Sequence, residues 1–132
     1  MEIISTSENG KLSFGDYSLV EKQKKEDYPH CGDFYKIKTY NTMTKLERNG
    51  LFLFESVPGT NVSDFEENDK GMNFKVECDK DAQITVGLEE NTEYEISVDG
   101  KSIGKITSNA SGKVSFGIEL QVGEKKEVVI SK

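Results

Sequence analysis

The sequence predicts an all-β protein, a single-domain antiparallel β-sandwich or jelly roll built from short hairpin-connected strands over residues 1–132. Apolar and polar residues alternate with a period of two in many short segments, which is the spacing of a half-buried strand. Residues typical of turns separate these segments at intervals of about eight to twelve residues, as they do in sandwiches. No segment shows the period of an amphipathic helix.

The clearest hairpin lies between residues 93 and 107. Glu93–Val98 alternates strictly, and Asp99–Gly100 tolerates the positive φ angles that a two-residue turn needs. One extra residue at Gly104 would shift the register and keep apolar residues of the second strand on the buried face. The expected pairs are Val98 with Lys101, Ile96 with Ile103 and, beyond the bulge, Tyr94 with Ile106.

Alternating segments along the rest of the chain predict the other strands. Asn49–Gly50 is expected to turn tightly between two strands, and the polar segment Ser108–Gly112 to close a second hairpin. Pro29 and Gly32 are expected to interrupt the pattern. The predicted strands are Glu2–Thr6, Leu12–Phe14, Tyr17–Lys24, Phe34–Tyr40, Lys45–Arg48, Leu51–Val57, Asn61–Phe65, Met72–Cys78, Ile84–Leu88, Val114–Leu120 and Val128–Ile130. The predicted core contains Phe74, Val76, Val86, Ile96, Ile103, Phe116 and Ile118.

The charge and the cysteine content argue against several classes of protein. A formal charge of −7 and a pI near 4.8 disfavour a nucleic-acid binder, which needs a basic face. No run approaches the roughly 20 apolar residues of a membrane helix. Two cysteines are too few for a secreted disulfide framework, and the first residues lack the features of a signal peptide. We therefore expect a cytoplasmic protein with reduced thiols that binds neither nucleic acid nor membrane.

Residues that could carry catalysis or hold a metal are scarce. His30 is the only histidine, and adjacent residues such as Cys31 point apart in an extended segment, so the two cannot form a nucleophile–base pair. The cysteine spacing does not match a zinc site, and Cys78 on the apolar face of its strand is expected to be a small core residue. The acidic run 64–69 lacks the pattern of a calcium loop. We expect no enzyme, no metal site and no cofactor.

One predicted strand is apolar on both faces. Leu51, Phe52, Leu53 and Phe54 are consecutive, whereas a strand with one face in water would alternate. One interpretation is a central strand covered on both sides by a second layer or a loop. The other is that Leu51 with Leu53, or Phe52 with Phe54, lies at the surface and contacts another subunit, because exposed apolar patches usually mark contact surfaces.

Basic residues concentrate in one part of the chain. Residues 22–48 hold seven basic and four acidic residues, a local charge of +3, and the rest of the chain carries −10. Lys22, Lys24, Lys36 and Lys38 are expected to lie close together if the strand ending at residue 24 pairs with the strand that follows residue 33. Complementary patches of this kind orient contacts between copies, which form rings or filaments. Alternatively, the lysines only protect an edge strand from unwanted pairing.

Three segments, Tyr35–Tyr40, Thr44–Gly50 and Glu55–Thr60, resemble a group of small clostridial proteins that carry the automatic label endosialidase. The resemblance continues through Tyr94–Gly100 and the later strands, over most of the chain. The second half also resembles β-sandwich domains appended to polysaccharide lyases. These resemblances imply a sandwich related to carbohydrate-active enzymes, with carbohydrate binding or an accessory role and a glycan as partner.

The label also implies an enzyme that acts on sialic acid, and the residues do not support that reaction. Such enzymes hold the substrate carboxylate with clustered arginines, whose planar fork suits a carboxylate. Arg48 is the only arginine, so no catalytic residue is transferred from the resemblance. The sequence therefore favours a non-catalytic interaction protein that associates with copies of itself as a homo-oligomer, with carbohydrate binding as the alternative.

Overall fold

The computed structural model describes residues 2–132, which form thirteen strands in two antiparallel sheets packed as a β-sandwich. This architecture confirms the predicted fold class. Residues 2–132 contain no helix, and therefore none long and apolar enough to cross a bilayer. The strands are β1 (Ile4–Thr6), β2 (Leu12–Phe14), β3 (Gln23–His30), β4 (Asp33–Thr39), β5 (Thr44–Arg48), β6 (Leu51–Val57), β7 (Asn61–Asn68), β8 (Gly71–Glu77), β9 (Ala82–Gly87), β10 (Glu93–Val98), β11 (Lys101–Thr107), β12 (Lys113–Ile118) and β13 (Lys125–Ser131).

The strand order defines the two layers of the sandwich. The seven-stranded sheet has the order β1-β2-β7-β8-β13-β10-β11, and the six-stranded sheet has the order β12-β9-β6-β5-β4-β3. Strand β1 contacts β3, so these two edges lie together on one side of the molecule. The other two edges, β11 and β12, lie on the opposite side. Because the sheets differ by one strand, β11 extends past β12 without a strand of the other layer beneath it.

An aromatic cluster joins the two sheets. Phe54 of β6 is fully buried, and its ring meets three rings of the seven-stranded sheet edge to face. The ring centroids lie 5.2 Å from Phe14, 5.5 Å from Phe74 and 6.5 Å from Phe65. The core predicted from alternation is confirmed for six of its seven residues, Phe74, Val76, Val86, Ile96, Phe116 and Ile118, which are all buried.

Ile103 is the exception, because the bulge in the β10–β11 hairpin lies one residue earlier than predicted. The turn pairs Val98 with Lys101 as expected, but Ile96 faces Gly104 rather than Ile103. Ile103 is the extra residue of the bulge and is 49% exposed. Beyond the bulge, Tyr94 faces Ile106 as predicted.

The edge strand of the six-stranded sheet was predicted in the wrong place. The expected strand Tyr17–Lys24 is mostly loop, and β3 instead runs through the charged residues and Pro29 to His30. An edge strand tolerates charge and proline because one side of its backbone needs no ladder partner. Alternation fails to reveal this strand because both of its faces are largely exposed.

Strands β11 and β12 do not form the predicted second hairpin. The loop Ser108–Gly112 carries the chain from the seven-stranded sheet to the six-stranded sheet, where β12 pairs with β9. Ser108 is buried at this crossing, and its hydroxyl accepts a hydrogen bond of 2.9 Å from Thr92 N. A polar loop of five residues suits a hairpin and a crossing between layers equally well, so the sequence alone does not separate the two.

Candidate functional site

The outer face of the six-stranded sheet carries a row of three lysines on neighbouring strands. Lys24 of β3 lies directly opposite Lys38 of β4, and Lys38 lies directly opposite Lys45 of β5. We call these three residues the lysine row. Like charges that face each other across a sheet are destabilising, so the fold itself does not favour this arrangement.

The structure brings together three of the four lysines expected from the sequence. Lys24 and Lys38 belong to the row, and Lys36 lies two residues before Lys38 on the same face of β4. Lys22 precedes β3, and its Nζ atom lies 5.8 Å from the ring centroid of Tyr40. Sequence reasoning missed Lys45, which the pairing of β4 with β5 brings to the row.

Glutamates neutralise only part of this charge. Glu26 Oε1 lies 3.3 Å from Lys24 Nζ and 3.6 Å from Lys36 Nζ, and Lys45 Nζ lies 3.8 Å from a Glu47 carboxylate oxygen. Within residues 2–132, Lys38 at the centre of the row forms no salt bridge. Glu55 of β6 lies directly opposite Lys45 on the same face. Lys24, Lys36, Lys38 and Lys45 against Glu26, Glu47 and Glu55 give this part of the outer face a local charge of +1.

A pH titration of Glu26 would test this geometry. A hydrogen bond with Lys24 and the charges of Lys24 and Lys36 hold the pKa of the Glu26 carboxyl below its usual value. Because the folded-state pKa is lowered, the resulting stabilisation is present at neutral pH and is lost as the pH falls through that pKa. We expect an NMR titration of the Glu26 side chain to have a low midpoint that rises in Lys24→Gln/Lys36→Gln and stays in place in Lys80→Gln. An unchanged midpoint in the double variant would contradict the ion pairs.

The apolar strand Leu51–Phe54 divides between the surface and the core. Leu51 is 73% exposed, and Phe52 is half-buried on the outer face, with Lys113 Nζ 4.6 Å from its ring centroid. Leu53 and Phe54 are buried in the core. These two residues therefore cannot contact a partner. Leu51 pairs with Arg48, which pairs with the inward Tyr35, so of the four residues only Phe52 shares the face of the lysine row.

A bulge explains why neither predicted pair stays together. Leu46 faces Phe54 and Glu47 faces Phe52, which leaves Leu53 as the extra residue on β6. The bulge turns Leu53 inward beside Phe54 although the two are adjacent in sequence. Both interpretations of the sequence are therefore partly wrong, because each assumed strict alternation along the strand.

A second exposed aromatic residue lies near the lysine row. Phe34 of β4 is 57% exposed and borders a depression of about 440 Å³ on the outer face. The side chain of Asn49 fixes this edge, since its Oδ1 atom accepts a hydrogen bond of 3.0 Å from Phe34 N. Glu26, Lys36 and Glu47 supply charged groups around the depression. Phe34 could have been found from the sequence, because alternation with the inward Tyr35 directs it outward.

The groups considered for catalysis have structural contacts. His30 Nδ1 lies 3.1 Å from Thr6 Oγ1, and Cys31 is exposed in the turn after β3. Cys78 is buried as predicted, and its thiol donates a hydrogen bond of 3.2 Å to the Gly59 carbonyl oxygen. Burial raises the pKa of the Cys78 thiol, which disfavours the reactive thiolate.

The only arginine is also engaged within the fold. Arg48 Nη1 donates to the Glu67 carboxylate, which joins β5 of one sheet to β7 of the other. Among residues 2–132, every buried side-chain nitrogen or oxygen has a hydrogen-bond partner, and no group of His, Cys, Asp and Glu side chains is placed to hold a metal ion.

Comparisons with known proteins place the chain in no group. No family model, curated protein or solved structure matches it. The resemblance to endosialidase-labelled proteins stays a prediction of the sequence. The candidate site therefore rests on the geometry of the outer face alone.

Proposed function

We propose that this protein is a non-catalytic interaction module that associates with copies of itself through the outer face of its six-stranded sheet. The observation that carries this proposal is the combination of an incompletely neutralised lysine row with exposed apolar side chains on one face. We call this surface the lysine face; it comprises Lys24, Lys36, Lys38, Lys45, Phe34 and Phe52.

Apolar burial has to supply most of the binding energy. An exposed lysine–carboxylate pair contributes only about 0–1 kcal/mol, so the lysine row alone would not hold an assembly. Phe34 and Phe52 lie on the outer face, and each contributes up to roughly 1.5–3 kcal/mol if it becomes fully buried. The charges then orient the approach rather than hold the contact.

Charge complementarity favours a second copy as the partner. The four lysines of the lysine face and the neighbouring Glu26, Glu47 and Glu55 sum to +1, while the whole chain carries −7, so the remaining residues carry −8. A basic face on one copy and an acidic surface elsewhere on the next make a heterologous contact. Such contacts close into rings or continue as filaments.

A matched pair of aspartate variants tests the apolar part of this contact. Phe34→Asp is expected to weaken association roughly tenfold to a hundredfold, because the burial energy of one phenylalanine is lost. Val122→Asp introduces the same charge at a position that is 77% exposed but lies outside the lysine face, and it should leave association unchanged. The measurement is particle mass by light scattering over a range of protein concentrations.

A charge reversal in the same experiment tests the orienting role of the lysines. Lys38→Glu should weaken association mainly at low salt, because salt screens exposed charges. Lys80→Glu, outside the lysine face, is its control. A wild-type protein that stays monomeric at high concentration in low and high salt removes the proposal.

A glycan is the second candidate partner, supported by Phe34 beside the depression described above. An exposed aromatic ring among charged and amide side chains is an arrangement that can stack on a sugar face. A protein that remains monomeric but binds an oligosaccharide, and loses that binding in Phe34→Ala, would favour this function over self-association.

A further inference from the structure

The two long sides of the sandwich end differently. On the β1–β3 side, Thr6 Oγ1 lies 2.9 Å from the Tyr28 hydroxyl and 3.1 Å from His30 Nδ1, so hydrogen bonds join the two sheets. Strand β3 also carries charged residues, a bulge and Pro29, which all discourage pairing with another strand. The side formed by β11 and β12 lacks an equivalent closure in the part of the chain that the structure describes.

Strand β12 presents an edge without these protections. It pairs with β9 over six consecutive residues with no register shift, and Val114–Ile118 contains no charged residue and no proline. The Gly112 carbonyl oxygen accepts a hydrogen bond of 2.7 Å from Leu88 N. The residues of β12 that form backbone hydrogen bonds with β9 are therefore every second residue counted from Gly112. The backbone N–H and C=O groups of Ser115 and Gly117 therefore point away from β9, where residues 2–132 supply no strand.

Strand β11 makes the space beside this edge apolar. The exposed Ile103 lines a cleft of about 490 Å³, together with Val98 and Ile118. We call this space the open cleft. Side chains of both charge signs border it: Asp99, Lys101, Glu119 and Lys126.

We propose that the open cleft binds an extended peptide segment of another polypeptide, which pairs with β12 as a seventh strand of the six-stranded sheet. The free groups of Ser115 and Gly117 would form the backbone hydrogen bonds. Alternate apolar side chains of the segment would pack on Ile103 and Ile118, the usual division of roles when a strand is added to a sheet edge. The border carries two basic and two acidic side chains, so apolar alternation rather than net charge selects the segment.

The arrangement of the layers favours a free segment over a second copy. If the β12 strands of two copies paired, their β11 strands would occupy the same space in the other layer. In each copy, β11 extends past the edge of the six-stranded sheet. A segment without a second layer avoids this conflict. The open cleft shares no residue with the lysine face, so a result that contradicts one of the two proposals does not contradict the other.

The experiment uses the full chain and a fluorescein-labelled synthetic peptide, Lys-Val-Thr-Val-Thr-Val-Lys, whose binding is followed by fluorescence anisotropy. Saturable binding is expected, and Ile103→Asp should weaken it about tenfold or more. Val20→Asp places the same charge at an exposed position outside the open cleft and should have no effect. Hydrogen exchange should slow at the amides of Ser115 and Gly117 when the peptide binds, and should not change along β3.

A proline variant tests the backbone contribution. Ser115→Pro removes an edge N–H that β9 does not use, and it should weaken binding while circular dichroism still shows a folded sheet. If Ser115→Pro does not fold, the Ile103→Asp variant and the hydrogen-exchange data test the proposal in its place. Three results would each overturn the proposal. The peptide does not bind, it binds equally to the wild type, Ile103→Asp and Val20→Asp, or it slows hydrogen exchange along β3 instead of β12. A particle mass that falls in Ile103→Asp without peptide would overturn it in favour of a second copy. Phe34→Asp, on the lysine face, should leave peptide binding unchanged.

Discussion

Phe54→Ala is expected to lower the free energy of unfolding by about 3–5 kcal/mol, the usual loss for truncation of a buried phenylalanine. Phe54 is the ring of the six-stranded sheet that contacts Phe14, Phe65 and Phe74 of the other sheet. Its removal leaves a cavity between the layers, where the surrounding strands can collapse only in part. Urea denaturation followed by circular dichroism measures the effect.

Phe34→Ala is the matched control for this variant. It removes the same side chain from β4, but Phe34 is more than half exposed and does not belong to the core. A surface substitution of this kind changes the free energy of unfolding by less than about 0.5 kcal/mol. Equal losses in the two variants would contradict the assignment of Phe54 to the contact between the sheets.

Gly112→Ala is expected to lower the free energy of unfolding by about 2–5 kcal/mol through two separate effects. The backbone at Gly112 has a φ of +79°, where a side chain costs about 1–2 kcal/mol. A Cβ atom at this position would also lie 2.1 Å from the Leu88 carbonyl oxygen, so the backbone that joins β12 to β9 must shift. Overpacking of this kind adds about 1–3 kcal/mol.

Gly123→Ala separates these two effects. Gly123 has nearly the same φ, +80°, but nothing lies within 4 Å of a Cβ atom built there. This variant should lose only the conformational part, about 1–2 kcal/mol, in the same denaturation measurement. If both variants lose the same amount, the close approach of Gly112 to Leu88 is not present in solution.

Local patterns were sufficient to predict most strands and the tight turns. Asn49–Gly50 and Asp99–Gly100 have positive φ angles at both positions, as the hairpin chemistry of these pairs requires. The sequence did not reveal the hairpin of β3 and β4, whose turn is Cys31–Gly32. The first strand of this hairpin contains charged residues and proline. Because this edge strand is exposed on both faces, apolar and polar residues do not alternate along it.

The candidate sites show the same limit. The sequence brought Lys24, Lys36 and Lys38 together because they lie on consecutive strands. It missed Lys45, whose place depends on the register between β4 and β5. It also placed Leu53 and Ile103 incorrectly, because a bulge moves one residue out of alternation and its exact position depends on the packing around it.

By itself, the sequence determined that this chain folds into an antiparallel β-sandwich, because alternation and turn chemistry act over a few residues and are written directly in the chain. Only the tertiary structure decided which strands share a sheet, that β11 and β12 belong to different layers, and that the six-stranded sheet ends in an open edge. These features depend on pairing between strands far apart in sequence. Such pairing is settled by burial and backbone hydrogen bonding across the whole molecule, and no local pattern encodes it.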